Sequence, residues 1–252
     1  MMNQKAIAFT LRGRFAFFKK PDVNVNDIYF TYSHIHKIAL FGIIGAILGY
    51  RGHRQQDKEK DTYPEFYEKL QNVRVSIVPN SPIGYFKKKS QVFNNTVGYA
   101  NKGGTLNVKE QWLDNPNWDI YLLCDDEELH AEILRHLEGK LATFIPYLGK
   151  NDHPATVERV REIEITSSDE VSQCASLAPL SHLNVKERLS KEARKQRNVN
   201  PVFLQEDMPI SLSADTGHYE LQTLCYTNLE VEAQAEHLSS FFIAEEKTLN
   251  FY

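Results

Sequence analysis

Four short runs with the signature of β-strands are spread over the first two-thirds of the 252-residue chain, and two helical runs fall between them in a definite order. Lys5–Leu11 (KAIAFTL) is apolar and rich in β-favouring residues, and Gly13 follows it. In Val73–Ile77, valine and isoleucine alternate with Arg74 and Ser76 ahead of Pro79, the period of a half-buried strand. Trp118–Cys124 (WDIYLLC) and Val157–Ile165 (VERVREIEI) complete the set. Between the first and second runs, His36 to Leu48 is apolar nearly all round and carries Gly42 and Gly45, with Gly49 just beyond. It reads as a buried helix with Ser33 as candidate cap and with glycines that let it lie close to a sheet. Between the third and fourth runs, Asp125–Glu138 sets Leu129, Ile133, Leu134 and Leu137 at helical spacing, with Asp125 as candidate N-cap and Gly139 beyond the end.

Strand, helix, strand, strand, helix, strand is the ferredoxin-like arrangement used by RNA-recognition-motif domains, so the expected class is α+β. The segment from about Pro82 to Leu113 is inserted between the second and third strands. Its glycines (Gly84, Gly98, Gly103, Gly104), its Asn94-Asn95 and Asn101-Lys102 turn signals and its alternating runs describe a long protruding β-hairpin, a thumb. After Thr166 the chain turns Ser- and acid-rich, then strongly charged from Val185 to Arg197. Strand-like segments follow at Val202–Leu212 and His218–Tyr226. The expected division is a domain over residues 1–168 and a small β-rich C-terminal extension over 169–252.

Charge is unevenly distributed. Residues 1–110 hold 17 Lys and Arg against 8 Asp and Glu, and residues 111–252 hold 12 against 25, so a chain of net charge −4 has one half at +9 and the other at −13. Between Glu68 and Glu110 there is no acidic residue, while Lys69, Arg74, Lys87, Lys88, Lys89, Lys102 and Lys109 lie in that span. A stretch without carboxylates suits a polyanion and directs attention to nucleic acid. The acidic C-terminal third is expected to face protein instead.

The residues for such contact are basic and interleaved with aromatics. In the loop from Arg12 to Pro21, Arg12, Arg14, Lys19 and Lys20 alternate with Phe15, Phe17 and Phe18, so that cations neutralise phosphates and aromatic faces stack bases. A core aromatic cluster is the competing reading for the phenylalanines. Because this loop follows the first strand rather than occupying the third, an ordinary sheet-surface reader is not expected. His36 and Lys37 stand at the helix start, where free N–H groups favour a phosphate. Lys87, Lys88, Lys89 and Lys102 belong to the thumb, with Tyr85 placed to stack or to anchor its base; a solubilising strand edge is the alternative for the lysines.

Other chemistry is poorly supported. The nine histidines form no metal-ligand spacing with Cys or carboxylates beyond the weak His34-x-His36, and no Walker loop, dinucleotide fingerprint or Gly-x-Ser-x-Gly elbow occurs. No metal, cofactor or catalytic residue is therefore assigned. Three scattered cysteines without a Cys-x-x-Cys pair suggest no disulfide framework, and the most apolar run, Ile38 to Tyr50, is short for a membrane span. The expectation is a soluble cytoplasmic protein.

The segment Phe9 to Pro21 (FTLRGRFAFFKKP), Thr31-Tyr32-Ser33, the run Leu40 to Gly49 (LFGIIGAILG) and Pro146-Tyr147-Leu148-Gly149-Lys150 together resemble the "Cas five" family, a subunit of the type I CRISPR surveillance complex Cascade. Asp207-Met208-Pro209-Ile210, followed by the Tyr219-to-Tyr226 strand, is most similar to the type I-B branch. The resemblance implies a non-catalytic subunit for antiviral defence that binds the 5′ handle of the guide RNA (crRNA). It also implies a cap on the filament of backbone subunits, a link to the large subunit, and target DNA near the PAM end as a further partner. Handle contacts would map to Arg12, Arg14, Lys19, Lys20, His36, Lys37 and Lys87 to Lys89. One branch of the family cuts precursor RNA without metal, which makes an endoribonuclease the alternative; Tyr32, His34, His36 and Lys37 are the compact set of suitable residue types. A third reading makes the basic half a docking face for an acidic protein.

Overall fold

The computed structural model describes residues 3–25, 28–57, 59–95, 106–195 and 199–252. Along the chain come strands β1 (Asn3–Arg12), β2 (Phe15–Ala16), β3 (Lys19–Val25) and β4 (Ile28–Thr31), helices α1 (Lys37–Leu48) and α2 (Glu65–Leu70), and strands β5 (Arg74–Pro79), β6 (Lys88–Asn95), β7 (Leu106–Asp114) and β8 (Asn117–Leu123). Helix α3 (Glu127–Glu138) and strands β9 (Thr156–Ser167), β10 (Ala178–Pro179) and β11 (Leu183–Leu189) follow, then helix α4 (Lys191–Lys195) and strands β12 (Phe203–Leu212), β13 (Tyr219–Thr227), β14 (Leu229–Ala233), β15 (Phe241–Ala244) and β16 (Lys247–Asn250). The protein is mixed α+β, with strands predominating.

The principal sheet has the order β16-β15-β9-β1-β8-β5, and all its neighbours are antiparallel. Side chains alternate across a strand. Ile7, Phe9 and Leu11 of β1 therefore share one face with Val75, Ile77, Ile120 and Leu122, and pack with α1, α2 and α3 into the main core. Ala6, Ala8, Tyr121 and Leu123 point the other way, into a second core with Ile165, Phe242, Leu249 and Phe251. This second face is closed off because the sheet curls until its edges meet. Val75 and Tyr252 each donate a main-chain N–H to the other's oxygen at 3.1 Å, and Ala175 and Leu177 bond to Thr248 (2.9 Å) and Ile77 (2.8 Å) across the remaining gap.

Local sequence explains the helices, with three changes from expectation. Helix α1 is capped by His36 rather than Ser33: the His36 Nδ1 accepts the Ala39 N–H at 3.2 Å. The cap of α3 is Asp126 rather than Asp125, its carboxylate accepting from the Glu128 and Leu129 N–H groups. The glycines of α1 do not serve a sheet. A Cβ on Gly45 would stand 2.5 Å from the Cβ of Phe66, so the close approach is to α2, while Gly42 faces no atom within 4 Å.

The stretch after β1, expected to be irregular, instead supplies β2, β3 and β4. These join β7 in a second sheet of order β2-β7-β4-β3, with β6 paired to β7 over Lys88–Asn95. The thumb is thus rooted in the segment after β1 as well as in the principal sheet. Past residue 168 the chain does not leave the first unit: Met208, Leu212 and Leu224 enter the main core, and β15 pairs with β9. Cys124, Cys174 and Cys225 are free. Among the described residues no helix is long and apolar enough to cross a membrane, and no group of three or more His, Cys, Asp or Glu converges as a metal site.

Candidate nucleic-acid interface

Strand periodicity divides the lysine triplet. In β6, Lys89 lies opposite Trp112 and Gln91 opposite Glu110, whereas Lys88 lies opposite Leu113 on the other side of the ribbon. Lys87, just before the strand, is exposed, and its carbonyl accepts the Asp114 N–H at 2.8 Å. The two sides of the hairpin base consequently carry different chemistry.

On the Lys89 side the groups form an aromatic and cationic cluster. Two cations approach the Phe15 ring: the Arg14 guanidinium is 5.2 Å from its centre and the Lys89 ammonium 5.6 Å. Trp112 is 5.4 Å from Phe15 and 4.5 Å from His153, which stands edge-on to it. The Lys150 ammonium approaches the rings of Phe93 (5.0 Å), Trp112 (5.5 Å) and Phe17 (5.8 Å). One oxygen of the buried Glu110 orients two of these groups, accepting from Trp112 Nε1 at 2.7 Å and from Lys150 Nζ at 2.8 Å. Burial, then the neighbouring Lys150, lowers the His153 pKa and so disfavours its charged form. Lys89 also reaches Asp114 at 3.1 Å, and Arg14 donates to Asn115 at 2.9 Å. Cations over aromatic faces beside an exposed ribbon are the types of group with which proteins stack bases and hold phosphates.

The Lys88 side opens on a cavity of about 410 Å³ between the hairpin base, the turn before α1 and the β12–β13 hairpin. Its walls are mostly apolar, including Phe86, Leu204, Met208 and Tyr226, and Tyr85 lines it while remaining substantially exposed. Lys88 donates to Ser33 Oγ at 3.1 Å, and burial lowers its pKa. Lys20 pairs with Glu206 at 2.5 Å, and the Ser33 N–H donates to the same carboxylate at 2.8 Å. The acidic C-terminal third thus places one carboxylate inside the basic region, against the expected separation. A larger groove of about 540 Å³ over α1 is lined, among the described residues, by no Lys, Arg, Asp or Glu; its polar side chains are His53, Gln55 and tyrosines.

The remaining expected residues are dispersed. Arg12 is exposed at the end of β1 and engages Glu158 through two contacts of 2.5 and 2.9 Å. Lys19 lies 4.0 Å above the Tyr29 ring. His36 is 3% exposed and occupied by its cap, among Phe18, Tyr32 and Tyr219. Lys37 is directed to the Tyr252 main-chain oxygen at 3.0 Å, and burial lowers its pKa to about 8. The alternative catalytic set is interior: Tyr32, His34 and His36 are each under 5% exposed, and burial lowers both imidazoles to about 3. Phe17 and Phe18 are buried, in keeping with the competing core reading. Lys102, with Gly98, Gly103 and Gly104, lies outside the described residues.

Trp112, Lys150, His153, Glu110 and Glu206 were not legible as site residues. The signals available were a tryptophan in an otherwise polar strand run (KEQWL) and a lysine after a glycine in PYLGK. Gly149 has φ +85°, and a Cβ there would collide with the Phe17 carbonyl, which is how Lys150 is brought over the aromatic loop.

No family model matches the chain, and no curated protein matches it. Among solved structures, it is similar to a CRISPR protein from Archaeoglobus fulgidus, with a TM-score of 0.51 and 8% identity over 98% of each chain. A chain from a CRISPR RNA-guided surveillance complex aligns at a TM-score of 0.46 with 14% identity, covering 90% of this chain and 91% of its own. A chain described as a Cas protein aligns at 0.43 with 13% identity, covering 89% and 95%. The first likeness is one of fold across the whole chain.

Proposed function

We propose that this chain is a non-catalytic RNA-binding subunit of a CRISPR surveillance complex of the type I-B branch. In this reading it grips the 5′ handle of the guide RNA, caps the backbone filament and joins that filament to the large subunit. The observation that carries the reading is the clustering of Arg14 and Lys89 on the Phe15 ring, beside Trp112 and Lys150 at the root of the hairpin. Phosphate neutralisation supplies affinity there, and stacking supplies preference for unpaired bases. The β9-β1-β8-β5 order within the sheet supports a ferredoxin-like, RNA-recognition-motif-like domain. The sequence resemblance and the fold shared with the archaeal CRISPR protein support the same assignment. Because the sheet face away from the helices is filled by Phe242, Leu249 and Phe251, the RNA is assigned to the hairpin and the loop after β1 rather than to the sheet surface.

The test is binding of the purified chain to handle RNA and to a scrambled RNA of equal length across a salt series, together with co-purification of co-expressed backbone and large subunits. Tighter handle binding with a marked salt slope is expected. Equal, negligible binding of both RNAs with no subunit association would sink the reading.

A further inference from the structure

The donors around Glu206 converge on a single carboxylate. One oxygen accepts the Ser33 main-chain N–H at 2.8 Å, and the other faces Lys20 Nζ at 2.5 Å. Lys88 does not touch the carboxylate, but it donates to Ser33 Oγ at 3.1 Å and so stands beside the same site. The Glu206 side chain is 16% exposed, so this is an enclosed position rather than a surface pair. A main-chain N–H and an ammonium group on one anion, with a second ammonium held nearby on Ser33 Oγ, is a donor set that also suits a phosphate. Glu206 comes from β12, far along the chain from the other three, and it enters a region whose other charged members are cationic.

We infer that Glu206 is a stand-in for a phosphate: the Ser33 N–H, Lys20 and Lys88 form a site for one phosphate group of an RNA strand, and the Glu206 carboxylate fills it until the strand displaces it. The adjoining cavity, which Glu206 itself lines, gives the released arm room to swing without moving β12. The exchange replaces one anion with another, so Lys20 keeps an anionic partner in either state. It also makes entry selective, because a ligand must outcompete a tethered carboxylate and a neutral or weakly charged one does not. This inference rests on the RNA-binding reading and adds a position and a competitor to it.

Glu206→Gln keeps the shape and removes the competing charge. Its affinity for the handle RNA is expected to rise about three- to tenfold, with the slope of log K against log salt steeper by about 0.7, the share of one phosphate on a single strand. Glu206→Asp keeps the charge but shortens its reach, and a smaller gain is expected. Lys20→Ala should weaken binding with little change in slope, because the wild-type site only exchanges one anion for another. Each variant is measured as the full chain, with melting temperature recorded. If Glu206→Gln and Glu206→Asp leave affinity unchanged or lower it while wild type binds, Glu206 is a structural support and the inference fails alone. If wild type and all variants fail to bind RNA even at low salt, the RNA-binding reading fails and takes the inference with it.

Discussion

Val75 and Tyr252 exchange a pair of main-chain hydrogen bonds, each 3.1 Å long, and so join the two ends of a sheet that would otherwise present open edges. The side chain beside this seam, Phe251, is 1% exposed and meets Phe242 edge-on at 5.4 Å inside the second core. Replacing Phe251 with alanine is expected to cost about 3–5 kcal/mol, as for other large-to-small changes in a close-packed interior. Chemical denaturation of the full chain measures this. A loss under about 1 kcal/mol would mean that the seam does not hold the curled sheet together.

The aromatic side of the hairpin should matter to RNA differently from its lysines. Trp112→Ala is expected to lower RNA affinity by about 1–3 kcal/mol, the worth of one stacked base, with little change in salt slope. Lys89→Ala should reduce affinity more modestly but flatten the slope by about 0.7. A salt titration of the two variants separates stacking from neutralisation; identical behaviour would argue against the assigned roles.

Gly149 should tolerate no side chain. Alanine there has an unfavourable φ of +85° and collides with the Phe17 carbonyl, disturbing the bond from the Phe17 N–H to the Leu148 oxygen (3.0 Å) that sets the aromatic loop against Lys150. Destabilisation of about 1–3 kcal/mol from the backbone conformation alone is expected, with reduced RNA binding. Denaturation and RNA titration of Gly149→Ala test both parts.

Acid should weaken the protein through two buried rings. Burial holds His34 and His36 near 3, against an ordinary value of 6.5, with Lys88 adding to the effect at His34. Between those limits the unfolded chain binds protons that the native protein does not. The stability contributed by the neutral rings is therefore complete above pH 6.5 and is lost as pH falls toward 3. Each ring contributes a slope of about 1.4 kcal/mol per pH unit. His36→Asn, which puts a capping oxygen in place of the imidazole Nδ1, should remove one ring's share of the fall between pH 6.5 and 5; an unchanged profile would show that His36 does not titrate with unfolding.

Sequence periodicity made α3 legible because it buries one face, and burial imprints its own repeat; β5 alternates in sequence yet is buried on both faces, because the second core covers the side expected to meet solvent. Helix α1 was legible for the opposite reason, since it is packed on nearly every side. The caps slipped by one to three residues: several polar side chains near each helix start are chemically competent, and only tertiary packing selects among them. The strands after β1 were hidden, because Lys19–Val25 contains Pro21 and charged residues and gains its strand from pairing with β4 rather than from its own pattern. At the candidate site, the basic loop and the thumb could be read from charge. Glu110, Lys150 and Glu206 could not, because each meets its partners only through contacts distant along the chain.

The division of Lys88 from Lys89 makes the hairpin a two-sided ribbon with a different surface on each side. Inserting one residue in β6 just ahead of Lys88, with the pairing to β7 otherwise kept, would turn the ribbon inside out. Lysine would then stand where the cavity ends and the cavity's lysine would face tryptophan, with composition and net charge almost untouched. A chain of this kind is therefore more sensitive to strand parity than to the number of its charges.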